Sequence, residues 1–174
     1  LLEGTHLLNH GDLAIKIFES KLSLKHTHGF YYLILLRETF SDKTLPNWIF
    51  VDDGNMEGPS EWAAPLGRLE QYSNIRSAHE FNQRRGTFAV WSAPAARFWG
   101  NVMISVTFRS PDDDGVGVLF RYRDRDNFYR LEFDAQRGFR RLVRRFRGVD
   151  SVLAVERGGY PTKADRRIDI ELSE

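Results

Sequence analysis

The chain has 174 residues, 41% hydrophobic and 13% aromatic, which is enough to fill the core of one domain. It has no cysteine, which excludes disulfides and thiolate chemistry, and its longest apolar run, Phe30 to Leu36, is too short for a membrane helix of about 20 residues. The formal charge of +1 conceals an asymmetry, with arginines gathered between Arg121 and Arg147 and carboxylates in short loops such as Asp52-Asp53 and Asp112-Asp113-Asp114.

Residues 1–37 differ from the rest and read as the tail of a preceding domain or as extra strands. They hold four of the five histidines, His6, His10, His26 and His28. GDLAIKIFESKL fits a short helix with Asp12 as N-cap and Leu13, Ala14, Ile17, Phe18 and Leu22 on one side. The alternation of Leu13, Ile15 and Ile17 permits a strand as well. GFYYLILLRE reads as a buried strand.

From residue 38 to 174 the pattern becomes that of a β module. Short apolar runs are separated by turn residues such as Ser41-Asp42, Pro46-Asn47, Asp53-Gly54 and Gly58-Pro59-Ser60. Strands are expected at Leu66–Tyr72, Gly86–Trp91, Ser151–Val155 and Arg167–Leu172. From Asn101 to Phe146 the spacing predicts a meander of hairpins. Val102, Ile104, Val106 and Phe108 alternate with polar residues, and PDDDG, DRDN and AQRG punctuate the following runs. The result is an all-β, antiparallel fold of the sandwich or jelly-roll type. The chain begins without Met and ends within the strand-like IDIELSE, so it is expected to be a segment of a longer protein.

The ordered set ETFSD, NWIFVDDG, GPSEW, SNI, GTFAVW, FWGNVMISVTFRSPDDDGVGVLFRYRDRDNFYRLEF and RGFRRLV resembles a bacterial family of laminin-G-like, concanavalin A-like β-sandwich modules. These are related to the jelly rolls at the carboxy terminus of thrombospondins. The likeness covers about residues 38–172. It implies an accessory module of an extracellular or cell-surface protein that binds a glycan or a protein surface, often with calcium supporting a loop.

Calcium takes six to eight oxygens, and Asp112, Asp113 and Asp114 offer carboxylates in a loop; the plainer account is an acidic turn. In LFRYRDRDNFYR and GFRRLVRRFR, arginines interleave with aromatics. Arg121, Arg123, Tyr129 and Arg141 are the residues expected to hold an anionic polysaccharide through bidentate hydrogen bonds, with Trp62 or Trp99 stacking on sugar rings. Single-stranded nucleic acid is the weaker match. Otherwise these arginines pair across strands with Asp124, Asp126, Glu132 and Asp134. His26 and His28 make a metal pair or a polar loop, and resemble the closing histidine motif of calcineurin-like phosphoesterases. The rest of that ligand set is missing, and Arg167-Ile168-Asp169-Ile170-Glu171 lacks the first acid of a glycosidase triplet. A non-catalytic recognition module is the expectation. The alternatives are an assembly module pairing through sheet edges and a remnant of a polysaccharide-acting or phosphoesterase enzyme.

Overall fold

Val102, Ile104, Val106 and Phe108 are buried, while Met103, Ser105 and Thr107 between them are half-exposed. This is the period of two that a strand with one core face requires. The computed structural model describes residues 36–77 and 85–173, together with the backbone of four short strands. Those four are β1 (Leu2–Glu3), β2 (Leu7–Asn9), β3 (Leu24–Thr27) and β4 (Phe30–Ile34). The helix expected at 11–22 and the side chains of His26 and His28 lie outside the described residues.

Ten further strands follow. They are β5 (Trp48–Asp52), β6 (Trp62–Ala63), β7 (Glu70–Gln71), β8 (Thr87–Trp91), β9 (Val102–Phe108), β10 (Gly115–Asp124), β11 (Asn127–Asp134), β12 (Phe139–Phe146), β13 (Val149–Arg157) and β14 (Arg166–Leu172). A seven-stranded sheet runs β13-β12-β11-β10-β2-β8-β5, a five-stranded sheet runs β14-β9-β1-β4-β3, and β6 pairs with β7. Apart from the contacts of β1, every pairing is antiparallel. The fold is all-β, and the described residues contain no α-helix, only two 3-10 turns at Pro65–Gly67 and Pro94–Phe98.

One core is shared by the two large sheets. Ile104, Val106 and Phe108 of β9 cluster with Val116, Val118 and Phe120 of β10 and with Ala89 and Trp91 of β8, and Trp48 of β5 joins them. Tyr129, Leu131 and Phe133 cover one flank from β11, and Ile168 and Ile170 cover another from β14. Each aliphatic or aromatic side chain fully withdrawn from water contributes about 1.5–3 kcal/mol, so this cluster is the main favourable term. The opposite, outer face of the seven-stranded sheet carries a smaller cluster of Phe88, Val90, Leu119 and Phe128.

The hairpins follow the turn residues. β12 and β13 are joined by Arg147-Gly148, both with positive φ (52° and 77°), as a two-residue turn of type I′ requires. The strand expected at Leu66–Tyr72 is reduced to Glu70–Gln71. Pro65-Leu66-Gly67 turns instead, with Leu66 and Gly67 in the left-handed region, and leaves Leu66 exposed.

Gly117, buried in β10, has the backbone of Leu131 and Glu132 where a Cβ would stand. Gly117→Ala should therefore destabilise the protein by about 1–3 kcal/mol, the usual penalty for overpacking. Urea unfolding that leaves the midpoint unchanged would contradict this packing.

Candidate functional site

The ladder between β10 and β11 holds register from Gly115↔Asp134 to Phe120↔Tyr129, and the next pair is Asp124↔Asn127. Arg121, Tyr122 and Arg123 thus stand against Phe128 alone. The surplus is a β-bulge, and Arg121 absorbs it with φ of 50°. Simple alternation would put Arg121 and Arg123 on the face away from Phe120. The bulge instead brings all three to a crevice of about 420 Å³ at one end of the two sheets. Buried Val102, Ile104 and Phe120 form its apolar part, Arg97 and Trp99 come from the turn before β9, and Tyr129 and Arg144 come from β11 and β12.

The lining is cationic and aromatic. Arg145, held by Asp53 and Asp150, reaches the lining, no Asp or Glu does, and the other four cations are Arg97, Arg121, Arg123 and Arg144. None of these four forms an ion pair with a carboxylate among the described residues. Two of them lean on aromatic rings, Arg97 with Cζ 5.7 Å from the Phe98 ring centre and Arg144. Arg144 Cζ lies 6.0 Å from the Tyr129 ring centre and 4.8 Å from that of Phe146, within cation–π range. Tyr129 in turn stacks on Phe120 at 5.7 Å with 14° between planes. Burial, followed by the Asp124 charge, pushes the Tyr122 hydroxyl pKa up, and its ring stacks on Phe128.

The outer face of the same sheet is the reverse. An unbroken series of ion pairs runs Asp53–Arg145–Asp150–Arg130–Glu132–Arg141. Arg145 donates to Asp53 at 2.7 Å and forks onto both oxygens of Asp150 at 2.6 and 3.2 Å. Arg130 bridges Asp150 at 2.8 Å and Glu132 at 2.5 Å, and Glu132 also takes Arg141. The side chains of Arg145 and Asp53 are only 1% and 2% exposed. Burial opposes the Arg145 charge, but Asp150 and Asp53 raise its pKa above the usual arginine value. Burial alone would raise the Asp150 carboxyl; hydrogen bonds and charge from Arg145 and Arg130 hold it below the ordinary carboxylate range instead. The cavity beside this series is only about 90 Å³.

Of the residues singled out from sequence, the crevice gathers Trp99, Arg121, Arg123 and Tyr129. Arg141 sits apart on the outer face, paired with Glu132 and lying over Phe139 at 4.7 Å. Trp62 is also apart: its indole N–H reaches the hydroxyls of Ser60 and Thr87 at 3.2 Å, and its ring stacks on Phe50. In the Asp112–Asp114 loop all three backbone carbonyls already accept hydrogen bonds. Tyr160 shares its hydroxyl between Asp112 at 2.8 Å and Asp114 at 2.5 Å, and the Gln136 amide reaches Asp113. Burial pushes that Tyr160 hydroxyl up to about 12, so it remains a donor at any physiological pH. Among the described residues no three His, Cys, Asp or Glu side chains converge as a metal site would need. Arg97 and the pairs of Arg145 with Asp53 and Asp150 were not anticipated, whereas the pair of Arg141 with Glu132 is the cross-strand alternative expected from the sequence. The placement of Arg144 opposite Tyr129 also had a signal, in the alternation of FRRLVRRF.

Asp150 supplies a test of the outer face. Its folded pKa is depressed, so its stabilisation is complete above the unfolded value near 4 and is lost as pH falls through the folded value. Asp150→Asn should lower stability at pH 7 by about 3–5 kcal/mol, because Arg145 and Arg130 lose a buried partner. It should also flatten the fall in stability between about pH 5 and pH 2. Parallel wild-type and variant curves across that range would refute the assignment.

Comparison of the chain with protein-family models, with curated proteins and with solved structures finds no match.

Proposed function

We propose that this chain is a non-catalytic recognition module that binds an anionic carbohydrate in the arginine–aromatic crevice. In this reading it is a laminin-G-like β-sandwich, carried at the cell surface or outside the cell as an accessory part of a larger bacterial protein. The observation that carries the proposal is the separation of charge between the two faces of one sheet. Arginines on the outer face are matched by carboxylates, whereas Arg97, Arg121, Arg123 and Arg144 in the crevice are not.

Sulfate and carboxylate groups match the guanidinium fork, which donates two parallel hydrogen bonds to a planar pair of oxygens. Tyr129, which stacks on Phe120, and Trp99 line the crevice with aromatic surface for the apolar side of a sugar. At about 420 Å³ the crevice falls among pockets that take one small ligand, about 300–1,000 Å³. The acid pair Glu132 and Asp134 is engaged by Arg130, Arg141 and Arg137, which disfavours a glycosidase reading. Calcium, if it contributes, supports the Asp112–Asp114 loop and not the crevice. A second reading, association of copies through the β13 edge, draws on the exposure of Val149, Val152, Leu153 and Val155 there.

The test compares dextran sulfate and polygalacturonate with unsulfated dextran by titration calorimetry, at low and high salt and with chelator. Binding of the charged polymers alone, weakened by salt, is expected. Arg121→Gly is the informative variant, because glycine tolerates the positive φ that arginine adopts there. It should leave stability unchanged or raise it by about 1 kcal/mol, while Kd weakens by about tenfold to a hundredfold for one lost charge-assisted contact. Equal binding of neutral dextran, preference for an oligonucleotide, or micromolar self-association without any ligand would each overturn the proposal.

A further inference from the structure

The crevice does not end at the rim of the smaller sheet. Phe120 pairs across the ladder with Tyr129, Tyr129 with Arg144, and Arg144 with Ser151, so these four residues form one row perpendicular to the strands. Three strand spacings make this row about 14 Å long. Its first half lies in the crevice. Arg144 and Phe146 of β12 line it as well, and beyond them Val149, Ser151 and Ala154 of β13 are exposed on the same side, as is Arg140, which pairs with Glu156 at 2.9 Å.

Stacking continues along that uncovered part. Arg144 lies between Tyr129 and Phe146, and Arg147 Cζ lies 5.1 Å from the other contact of the series, the Phe146 ring centre. Phe146 is 49% exposed and lies beside Val149, its cross-strand partner, which is 66% exposed. The order Phe120, Tyr129, Arg144, Phe146, Arg147 is thus a rail of alternating ring faces and guanidinium groups, beginning in the crevice and ending at the β12–β13 turn. A guanidinium held flat against a ring presents its N–H edge outward, where an oxyanion can meet it.

We infer that the ligand is a polymer that lies across the strands, with one unit seated in the crevice against Arg144 and Phe146 and further anionic units running on past them to Arg147. This rests on the crevice reading and adds to it the length and path of the chain bound. A ligand confined to the crevice would meet Arg121 and Arg123 but never Arg147, which does not line it. The continuity of unneutralised positive charge along the rail favours a polyanion over an apolar or protein partner.

The experiment measures the affinity of size-fractionated dextran sulfate di-, tetra- and hexasaccharides for the wild-type chain and for Arg147→Gly. Arg147 has φ of 52° in a two-residue turn, so glycine preserves the hairpin, and a thermal unfolding curve checks that it does. Affinity should rise at least tenfold from disaccharide to hexasaccharide. Arg147→Gly should remove about fivefold or more of the hexasaccharide affinity and leave the disaccharide unchanged. An increase no larger than the number of overlapping registers, or equal losses for both lengths in the variant, would overturn the rail and leave the crevice standing. Failure of every length to bind would overturn both.

Discussion

Arg145 and Asp53 are 92 residues apart in sequence and belong to opposite ends of the seven-stranded sheet, yet their side chains meet at 2.7 Å. Asp53 follows β5 directly and is tied by its amide to Gly86, just before β8, while Arg145 lies on β12. A flat sheet would hold β12 and β5 about 24 Å apart, five strand spacings. The pair can form only if the sheet curls over its outer face. The rings of Phe88 on β8 and Phe128 on β11 report the same curl, meeting edge to face at 5.4 Å across strands that are not neighbours. A charge withdrawn from water is strongly unfavourable unless fully partnered, so Arg145 fixes the curvature as firmly as the apolar cluster beneath it. Its position over the Phe128 ring, at 4.7 Å, joins the two.

That curl decides which face of the sheet is left open. A curved sheet presents a hollow on its outer face, the natural place for a groove. Here the hollow is filled by the molecule itself, first by Phe88, Val90, Leu119 and Phe128, then by three carboxylates alternating with three arginines. Charges in that series balance, its hydrogen bonds are taken, and the space left over is about 90 Å³. The inner face is different because the smaller sheet covers only part of it. β14 is that sheet's edge, and the strands β12 and β13 extend past it with their inner side chains in water. Unneutralised arginines are found at this overhang and in the crevice beneath it.

Much of the fold was legible because it depends on alternation. The buried residues of β9, the hairpin turns and the two faces of β12 all follow from a period of two with turn residues between. The grouping of Trp99, Arg121, Arg123 and Tyr129 in one cavity was legible only as a list of residue types. Alternation alone separates Arg121 from Phe120, and no local pattern announces that three residues of β10 will face one of β11. The pair of Asp53 with Arg145 was hidden for another reason. Asp53 and Arg145 become neighbours through curvature of the whole sheet, and curvature has no signature in a window of ten residues. Arg141 shows the converse. It shares β12 with the crevice residue Arg144 but faces the other way, because i and i+3 on a strand point to opposite sides.

Arg121 brings the constraints together. Arginine in the left-handed region is unfavourable by about 1–2 kcal/mol, and glycine would adopt the same backbone without strain. Nothing in the packing calls for arginine there: the side chain is exposed and has no carboxylate partner among the described residues. Among the described residues, four glycines and eight other residues have positive φ, and Arg121 is one of the eight. Arg121 at this bulge lines the cavity together with Arg97, Arg123 and Arg144, which likewise have no carboxylate ion pair among the described residues. The same bulge that strains Arg121 also shifts Arg123 into the crevice beside it, so a single irregularity in the ladder supplies two of the four cations. Regular pairing of β10 with β11 through Asp124 would place Arg121 on the filled outer face, where the ion-pair series leaves it no room and no function.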